Sequence, residues 1–325
     1  MNWDTLSAQC LRGHPATREQ ALAVLAAPED EVLDVIAAAF RLRRHFFGRG
    51  IRLHVIQNAK SGACSEDCSF CSQSAVAHSR VTQYPLRSVE DIVAGARAAC
   101  AVKAVRYCIV TSGRSPSTQD LDTLGTAVRQ IKAAMPLQIC TSLGLLTDAQ
   151  VQTLKQAGVD RYNHNLETSA RFFPTICTAH RYDDRVATAQ RVKAAGLQLC
   201  SGGLIGMGET AEDRVDLALA LRDIGADSIP VNFLHPRPGT PLEGLSPLTP
   251  SECLRTLAMF RLVNPDREIR IAGGREACLR HMQPLALYLA NSLFTEGYLT
   301  TPGQGHAQDC AMIADAGFVV EAIEA

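Results

Sequence analysis

DAQVQTLKQAGVDRYNHN, residues 148 to 165, contains a helix-like stretch followed directly by a strand-like stretch. The first part ends in Ala157 and Gly158, and glycine tolerates the left-handed backbone that commonly closes a helix. The second part, VDRYNHN, is short and begins at that glycine, as expected of a strand. This helix-strand pair is the repeating unit of the chain, and its repetition indicates the fold.

Eight short runs have strand character. They are residues 51–57, 104–110, 136–142, 159–165, 197–203, 227–233, 268–274 and 290–294. Helix-like stretches lie between most of them, for example 88–101, 148–158, 183–196 and 252–263. Strand-helix alternation of this kind favours a parallel sheet, and eight units predict an α/β fold with a closed (β/α)8 barrel of the TIM type. Active residues are then expected at the carboxyl ends of the strands.

Three segments are predicted around one large core. Residues 1–48 contain two helical patterns separated by Pro28 and form an N-terminal helical extension, and the barrel spans residues 49–301. Residues 302–325 are predicted to be a C-terminal tail that packs on the barrel. A chain of 325 residues with 46% hydrophobic content is long enough to bury such a core.

The charge balance limits the classes of partner. The chain has 32 Lys and Arg against 33 Asp and Glu, so its formal net charge is -1 and it has no broad attraction for nucleic acid or an anionic membrane. The polar start lacks the layout of a secretory signal, and no run reaches the roughly 18 apolar residues that span a bilayer. We expect a cytoplasmic protein with reduced thiols and a small-molecule substrate.

GACSEDCSFCSQS, residues 62–74, places Cys64, Cys68 and Cys71 within eight residues. The polar surroundings indicate a loop rather than a core helix, and this loop follows the first predicted strand, where a barrel has its active site. A structural zinc site with His78 as fourth ligand is one alternative, although the usual paired C-x-x-C pattern is absent. Three thiolates can instead hold three irons of a 4Fe-4S cluster and leave the fourth iron open.

The C-x3-C-x-aromatic-C pattern, with Phe70 before the last cysteine, resembles the signature of the radical S-adenosylmethionine superfamily. In that superfamily the open iron binds S-adenosylmethionine, which is cleaved to a 5'-deoxyadenosyl radical. The resemblance implies a 4Fe-4S cluster held by Cys64, Cys68 and Cys71. It also implies that Phe70 lies near the adenine of the cofactor.

Several predicted strands carry polar or thiol side chains where a barrel interior normally has branched apolar residues. These residues are Arg106, Cys108, Cys140, Asn163, Asn165, Cys200, Asn232 and Arg270. Each has a structural explanation when taken alone, since a strand cysteine commonly fills the core and a buried Asn can serve the backbone. Three thiols and two arginines directed into one barrel need a shared partner, and an iron-sulfur cluster is such a partner.

From about Arg52 to Thr301 the chain resembles the biotin synthase family. The motifs that carry the resemblance are NAKSGACSEDCSFCSQS, RYCIVTSGR, ICTSLGLL, DRYNHNLETS, LCSGGLIGMGET, SIPVNFLHPRPGTPLEG and IRIAGGRE. In that family a second cluster, 2Fe-2S, is held at the positions of Cys108, Cys140, Cys200 and Arg270, and Arg106 would lie beside it. The resemblance implies insertion of sulfur into dethiobiotin to form biotin, with the 2Fe-2S cluster as sulfur donor.

The same resemblance assigns the substrate and cofactor contacts. Asn165 and Asn232 occupy the positions that contact the ureido ring of dethiobiotin, whose carbonyl and two N–H groups amide side chains can match. Glu167 stands where the family often has Asp, close to the ribose hydroxyls of S-adenosylmethionine. Arg185 would help to bind the nucleoside end.

Other sequence features have less specific interpretations. Thr210 and Asp213 form a capping-box pattern, so Gly206 to Thr210 is predicted to bend from strand into helix near the methionyl group of the cofactor. Six cysteines fit no metal spacing and are interpreted as packing residues: Cys10, Cys100, Cys177, Cys253, Cys278 and Cys310.

Two other functions remain open at this level. One is a related radical enzyme with a different substrate, such as a maturase of metal cofactors, and the complete second-cluster set together with Asn165 and Asn232 is the feature that discriminates against it. The other is a noncatalytic zinc or iron-sulfur protein. The resemblance further implies a homodimer and an electron-donor protein such as flavodoxin.

Overall fold

The computed structural model describes residues 1–301 and 303–321 of the chain. The strands in these residues are β1 (Gly50–Lys60), β2 (Arg106–Thr111), β3 (Gln138–Ser142), β4 (Arg161–Asn163), β5 (Gln198–Cys200), β6 (Gly203–Ile205), β7 (Ser228–Phe233), β8 (Glu268–Ile271), β9 (Ser292–Phe294) and β10 (Val319–Val320). They pair in parallel in the order β1-β2-β3-β4-β5-β7-β8-β9, with β6 beside β7, and β9 pairs back onto β1. The sheet is therefore a closed barrel.

Helices precede, surround and follow this barrel. They are α1 (Trp3–Leu11), α2 (Arg18–Leu25), α3 (Val32–Phe47), α4 (Val89–Ala101), α5 (Thr118–Ala134), α6 (Asp148–Ala157), α7 (Phe173–Ile176), α8 (Tyr182–Ala194), α9 (Ala211–Asp223), α10 (Pro250–Val263), α11 (Arg275–Leu279), α12 (Gln283–Ala286) and α13 (His306–Asp315). Short 3-10 turns lie at Glu29–Glu31 and Arg280–Met282. The predicted (β/α)8 barrel with an N-terminal helical extension is confirmed.

Local sequence signals determine where the helices begin and end. The predicted capping box at Thr210 and Asp213 is formed at the start of α9, and Thr147 with Gln150 forms the same motif at the start of α6. Gly158 has a left-handed backbone (φ 98°) at the end of α6, as expected of a C-cap glycine. These caps satisfy backbone groups that the helices themselves leave unpaired.

Each predicted strand contains an observed strand, but two details differ from the prediction. The fifth predicted run is interrupted, because β5 ends at Cys200 and β6 begins at Gly203. At Gly202 a Cβ atom would lie 1.9 Å from the carbonyl oxygen of Pro230, so only glycine allows this close approach. The other difference is β10, which the sequence pattern did not predict.

The segments on either side of the barrel pack against it. In α3, Arg43 is fully buried and its Nη2 donates to the carbonyl oxygen of Gly50 at 2.6 Å, at the start of β1. After α13, Val319 pairs in register with Gly50, so β10 extends the sheet at β1. The three-segment division stays a prediction, and its last segment includes residues 302 and 322–325, which lie outside the described residues. Among the described helices, none is long and apolar enough to cross a membrane.

Candidate active site

The first three predicted ligands, Cys64, Cys68 and Cys71, lie on the irregular segment that follows β1; we call them the mouth set. Backbone contacts hold this segment at the carboxyl end of the barrel. The Asp67 carboxylate accepts hydrogen bonds from the backbone N–H groups of Thr178 and Ala179, each at 3.0 Å. The loop is therefore tied to the chain that follows α7, although 111 residues separate Asp67 from Thr178.

The mouth set is partly buried in an apolar setting. Cys68 is buried in a cluster with Phe173, Ile176 and Met207, and Phe70 packs against the same cluster. Burial raises the pKa of the Cys71 thiol to about 11. A bound metal reverses this effect, because a coordinated thiol is deprotonated outright. The Cys71 thiol therefore remains protonated at neutral pH until a cation binds it.

Cys177, which was interpreted as a packing residue, is buried but also has polar contacts. Its Sγ lies 3.9 Å from Sγ of Cys68 and 3.3 Å from Nδ1 of His180. His180 Nδ1 is also hydrogen-bonded to Glu66, while Arg185 Nε donates to His180 Nε2 at 2.9 Å. Glu66, Cys177 and His180 have the composition of a metal site. Both imidazole nitrogens are already hydrogen-bonded, however, so the three residues form a support beneath Arg185.

Arg185, Glu167 and Asn165 are brought together above the barrel. Arg185 Nη1 donates to the Asn165 carbonyl oxygen at 2.8 Å and lies 3.5 Å from Glu167 Oε1. Burial raises the pKa of the Glu167 carboxyl, and the nearby Arg185 charge opposes that rise. Glu167 has a left-handed backbone (φ 69°), which costs a residue with a side chain about 1–2 kcal/mol.

The two predicted substrate-binding amides are held by backbone groups. Asn165 Oδ1 accepts from Gly202 N at 3.2 Å. Asn232 Nδ2 donates to the Gly203 carbonyl oxygen at 3.1 Å, and its Oδ1 accepts from Gly273 N at 2.8 Å. Asn165 Oδ1 also accepts from Asn163 Nδ2 at 3.3 Å, and Asn165 Nδ2 donates to Glu167 Oε2 at 3.4 Å, so Asn165 keeps one free N–H group. Asn232 keeps one N–H group and one lone pair. The side chains are therefore fixed in orientation and can still bind a ligand.

Deeper in the barrel, four strands bring together Cys108, Cys140, Cys200 and Arg270; we call these residues the deep set. Cys108 and Cys140 lie opposite each other in the β2 and β3 register. Arg270 Nη1 lies 3.5 Å from Cys200 Sγ. All four side chains are buried. Burial raises the pKa of Cys200 well above its ordinary value, whereas a hydrogen bond from Cys140 lowers the pKa of Cys108.

Unpaired polar atoms show that the deep set fits a ligand rather than a closed core. In the described part of the chain, Nε of Arg106 and Nε of Arg270 are buried with no hydrogen-bond partner. Such groups are rare in a folded interior, and each calls for an explanation. Three thiols that become thiolates match the iron ligands of a 2Fe-2S cluster. The unpaired N–H groups match donors that hydrogen-bond to its sulfides. The mouth set has three thiols on one loop and fits a 4Fe-4S cluster with one open iron, while the neighbouring thiol of Cys177 is already hydrogen-bonded to His180.

Below the deep set lies a charged layer that we call the floor network: His54, Arg106, Arg161 and Glu268. Sequence reasoning named Arg106 beside the second cluster but missed the other three residues. Glu268 Oε2 accepts from Arg161 Nη1 at 3.1 Å and lies 3.7 Å from Arg106 Nη1. The nearby arginines hold the pKa of Glu268 well below its usual range despite its burial, with Arg161 contributing most. The stretch EIRI, residues 268–271, does indicate that Glu268 lies near Arg270. Residues two apart on a strand share a face, so the two side chains point to the same side of the sheet.

One cavity joins these groups. Its walls include the mouth set, Phe70 and Arg185 above, Asn165, Glu167 and Asn232 beside them, and Cys108, Cys140 and Arg270 below. Cys200 is placed beside Arg270 at the bottom of this arrangement. The structure thus brings together all the predicted site residues, whereas His78, the zinc ligand of the alternative, is exposed.

The fold and the two thiol-containing sets define an enzyme of the radical S-adenosylmethionine type. The Radical SAM superfamily model matches residues 59–221, and the Biotin and Thiamin Synthesis associated domain model matches residues 230–319. Biotin synthase from Salinibacter ruber is 55% identical over 316 residues, which cover 97% of this chain and 88% of that protein. Biotin synthase from Bacillus subtilis is 49% identical over 322 residues, covering 99% of this chain and 96% of that protein. The chain belongs to the biotin synthase family.

Solved structures with the same fold include two other proteins. Methylornithine synthase superposes with a TM-score of 0.85 at 20% identity, over 98% of each chain. The FeFe-hydrogenase maturase from Carboxydothermus hydrogenoformans gives 0.82 at 16% identity, over 97% of this chain and 78% of the maturase. At these identities the likeness concerns the barrel alone. As a family member, the chain is a sulfur-inserting enzyme that uses S-adenosylmethionine, a 4Fe-4S cluster and a 2Fe-2S cluster to convert dethiobiotin to biotin.

Proposed function

We propose that the two sets of thiols divide the reaction between the two ends of one cavity. The mouth set would hold the 4Fe-4S cluster and the deep set the 2Fe-2S cluster. When bound, these groups and S-adenosylmethionine supply a carbon-centred radical and the sulfur that enters dethiobiotin. The observation that carries the proposal is that the mouth set and three members of the deep set, Cys108, Cys140 and Arg270, line the same cavity as Asn165 and Asn232.

The cofactor would be bound beside the mouth set. Phe70 is placed to contact the adenine, and the Glu167 carboxylate to accept hydrogen bonds from the ribose hydroxyls. Arg185 fixes Glu167 through their ion pair at 3.5 Å, and His180 in turn fixes Arg185.

The substrate would lie between the two sets. Asn165 and Asn232 are held by their hydrogen bonds, so the N–H group that each keeps free and the remaining lone pair of Asn232 would be oriented toward the substrate. A urea carbonyl and its N–H groups match these donors and acceptors. Orientation of this kind reduces the entropy lost when the substrate binds. It also places the apolar carbons of the substrate above the deep set.

The enclosed position of the deep set suits radical chemistry. The C–H bonds of dethiobiotin that react are not acidic, so a general base offers no route to them. A cavity that excludes water prevents side reactions of a reactive intermediate. Phe294 and Ala272 pack around the three deep cysteines and separate them from solvent. We therefore propose that Phe294 and Ala272 exclude water from the bottom of the cavity.

Three further assignments extend this proposal. The enzyme would work as a homodimer and receive electrons from a donor protein such as flavodoxin, and both assignments are supported by the family. We place it in the cytoplasm, where thiols stay reduced. All twelve cysteines are free in the structure, in agreement with such a compartment.

An anaerobic assay of the reconstituted enzyme tests the function. The protein is supplied with S-adenosylmethionine, dethiobiotin and a strong reductant, and 5'-deoxyadenosine and biotin are followed by mass spectrometry. Formation of both products is expected. 5'-Deoxyadenosine without biotin would remove the substrate assignment and favour a radical enzyme with another substrate. Neither product from a fully iron-loaded protein would overturn the proposal.

A further inference from the structure

Glu268 is the centre of the charged layer below the deep set. Its carboxylate is 3% exposed, and three arginines surround it that are also buried: Arg106, Arg161 and Arg270. Among the described residues, Glu268 is the one carboxylate paired with this trio. A buried guanidinium group without a negative partner is strongly destabilising, so this carboxylate matters for all three arginines.

The contacts of Glu268 also fix the orientation of Arg270. Arg270 Nη2 donates both to Glu268 Oε1 and to Ser228 Oγ, the latter at 2.8 Å. With Nη2 engaged in this way, Nη1 faces Cys200 Sγ at 3.5 Å. The Nε atom of Arg270 is buried without a partner. The carboxylate therefore decides which edge of the guanidinium group faces the deep cysteines.

The carboxylate is itself held in place by hydroxyl groups. Ser228 Oγ donates to Glu268 Oε1 at 2.9 Å, and Ser292 Oγ donates to the same oxygen at 3.1 Å. His54 Nε2 lies 3.4 Å from that oxygen. Arg161 Nη1 donates a hydrogen bond to the other carboxylate oxygen, Glu268 Oε2. With both oxygens occupied from several strands, the side chain has one orientation, and it can transmit that orientation to Arg270.

We propose that Glu268 is a positioning residue for the deep site: it presents Arg270 to the 2Fe-2S cluster and balances the charge of the three arginines around it. This inference rests on the proposed function, because it takes the deep set as the cluster site. Residues that orient the ligands of a metal commonly change its affinity by about 10- to 100-fold when they are replaced. Glu268 would act through Arg270 and would not touch the substrate.

The test compares Glu268→Gln with wild type after anaerobic reconstitution. Glutamine keeps the shape of the side chain but removes its charge. We expect the affinity of the variant for the deep cluster to fall by about 10- to 100-fold. This affinity is compared by measuring the iron and sulfide that remain per chain during challenge with a chelator. We also expect a higher reduction potential for any cluster that remains, because the variant has one negative charge fewer beside it. The mouth cluster, followed by its electron paramagnetic resonance signal after reduction, should be unchanged.

Further variants separate positioning from simple charge balance. Asp309→Asn is the matched control, because Asp309 is also fully buried and pairs with a buried arginine, Arg275 at 2.9 Å, but has no contact with the floor network. In Arg161→Gln/Glu268→Gln the net charge of the layer returns to that of wild type, while the contact with Arg270 stays lost. We expect this double variant to retain the deep cluster as weakly as Glu268→Gln.

Each outcome has a separate meaning. Wild-type retention in Glu268→Gln, or its recovery in the double variant, would overturn the inference while leaving the cluster site intact. Failure of wild type itself to take up a second cluster would instead overturn the proposed function. If Glu268→Gln does not fold, Glu268→Asp decides the question. It keeps the charge but is too short to hold Arg161 and Arg270 together, so weaker retention of the deep cluster than in wild type supports positioning and full retention contradicts it.

Discussion

The mouth and the deep end of the cavity are built in opposite ways. The mouth set comes from one loop of eight residues, lies partly open and is held by contacts such as those of Asp67. The deep set comes from four separate strands, is fully enclosed and rests on the floor network. A local motif can be positioned by a few backbone hydrogen bonds. A dispersed set needs the register of the whole barrel and a charged layer that satisfies its buried groups.

The largest expected effect is the loss of reaction products when a cysteine of the mouth set or of the deep set is replaced. Cys71→Ala should abolish both 5'-deoxyadenosine and biotin, because the cofactor could not be cleaved. Cys140→Ala should reduce biotin by about 100-fold or more and leave cleavage of S-adenosylmethionine measurable. Mass spectrometry of both products in a single-turnover reaction checks this. Loss of both products in Cys140→Ala, in a folded protein that retains its mouth cluster, would show that the two ends do not act separately.

A second effect concerns the backbone where β8 leads back toward the mouth. Gly274 has a left-handed backbone (φ 76°), and a Cβ atom there would lie 1.9 Å from the Phe233 carbonyl oxygen. Gly274→Ala should lower the free energy of unfolding by about 2 kcal/mol or more. Gly113→Ala is the control, since its backbone is also in the positive-φ region (φ 128°) but a Cβ would meet nothing within 4 Å. Urea unfolding of the two cluster-free variants measures the difference, and equal losses would contradict the close approach.

A smaller effect is expected between the two ends, where the substrate amides lie. Asn165→Ala and Asn232→Ala should each raise the KM for dethiobiotin by about tenfold, because a polar group of the ureido ring would lose its partner. The rate of 5'-deoxyadenosine formation in the absence of dethiobiotin should stay near that of wild type. A change in that background rate without a change in KM would place the amides with the cofactor instead.

The smallest effect tests the electrostatics of the mouth. Burial raises the pKa of Glu167, so its ionised form is unfavourable in the folded, cofactor-free protein. That cost is absent below the pKa of the unfolded chain and grows as the pH rises through the folded pKa. Glu167→Gln should therefore be slightly more stable than wild type at pH 8, with a smaller difference at pH 5. A less stable Gln variant at pH 8 would mean that the ion pair with Arg185 outweighs burial.

Much of the architecture could be predicted because its signals are local. The eight strand runs and the caps at Gly158 and Thr210 depend on neighbouring residues, and the structure contains each of them. The strand β10 was missed because two residues, Val319 and Val320, carry too little pattern. The interruption at Gly202 was missed because its cause is a carbonyl oxygen on a different strand.

The same distinction applies to the site. The spacing of Cys64, Cys68 and Cys71 and the strand positions of the deep cysteines were readable from the sequence. The contact of Cys177 with Cys68 was not, and neither was the ion pair of Glu268 with Arg161, since the first pair is separated by 109 residues along the chain and the second by 107. Charge partners of this kind leave no periodic signal in the chain.

The sequence by itself determined the barrel, the mouth motif and the side of each strand on which the deep residues lie, because periodicity and spacing are properties of the chain alone. The tertiary structure decided which arginines share Glu268 and which amides are fixed by backbone groups. It also decided that the mouth set lines the same cavity as Cys108, Cys140 and Arg270. Those outcomes depend on register and closure, which bring residues distant in sequence within hydrogen-bonding distance, and on burial, which strengthens every charge interaction they make.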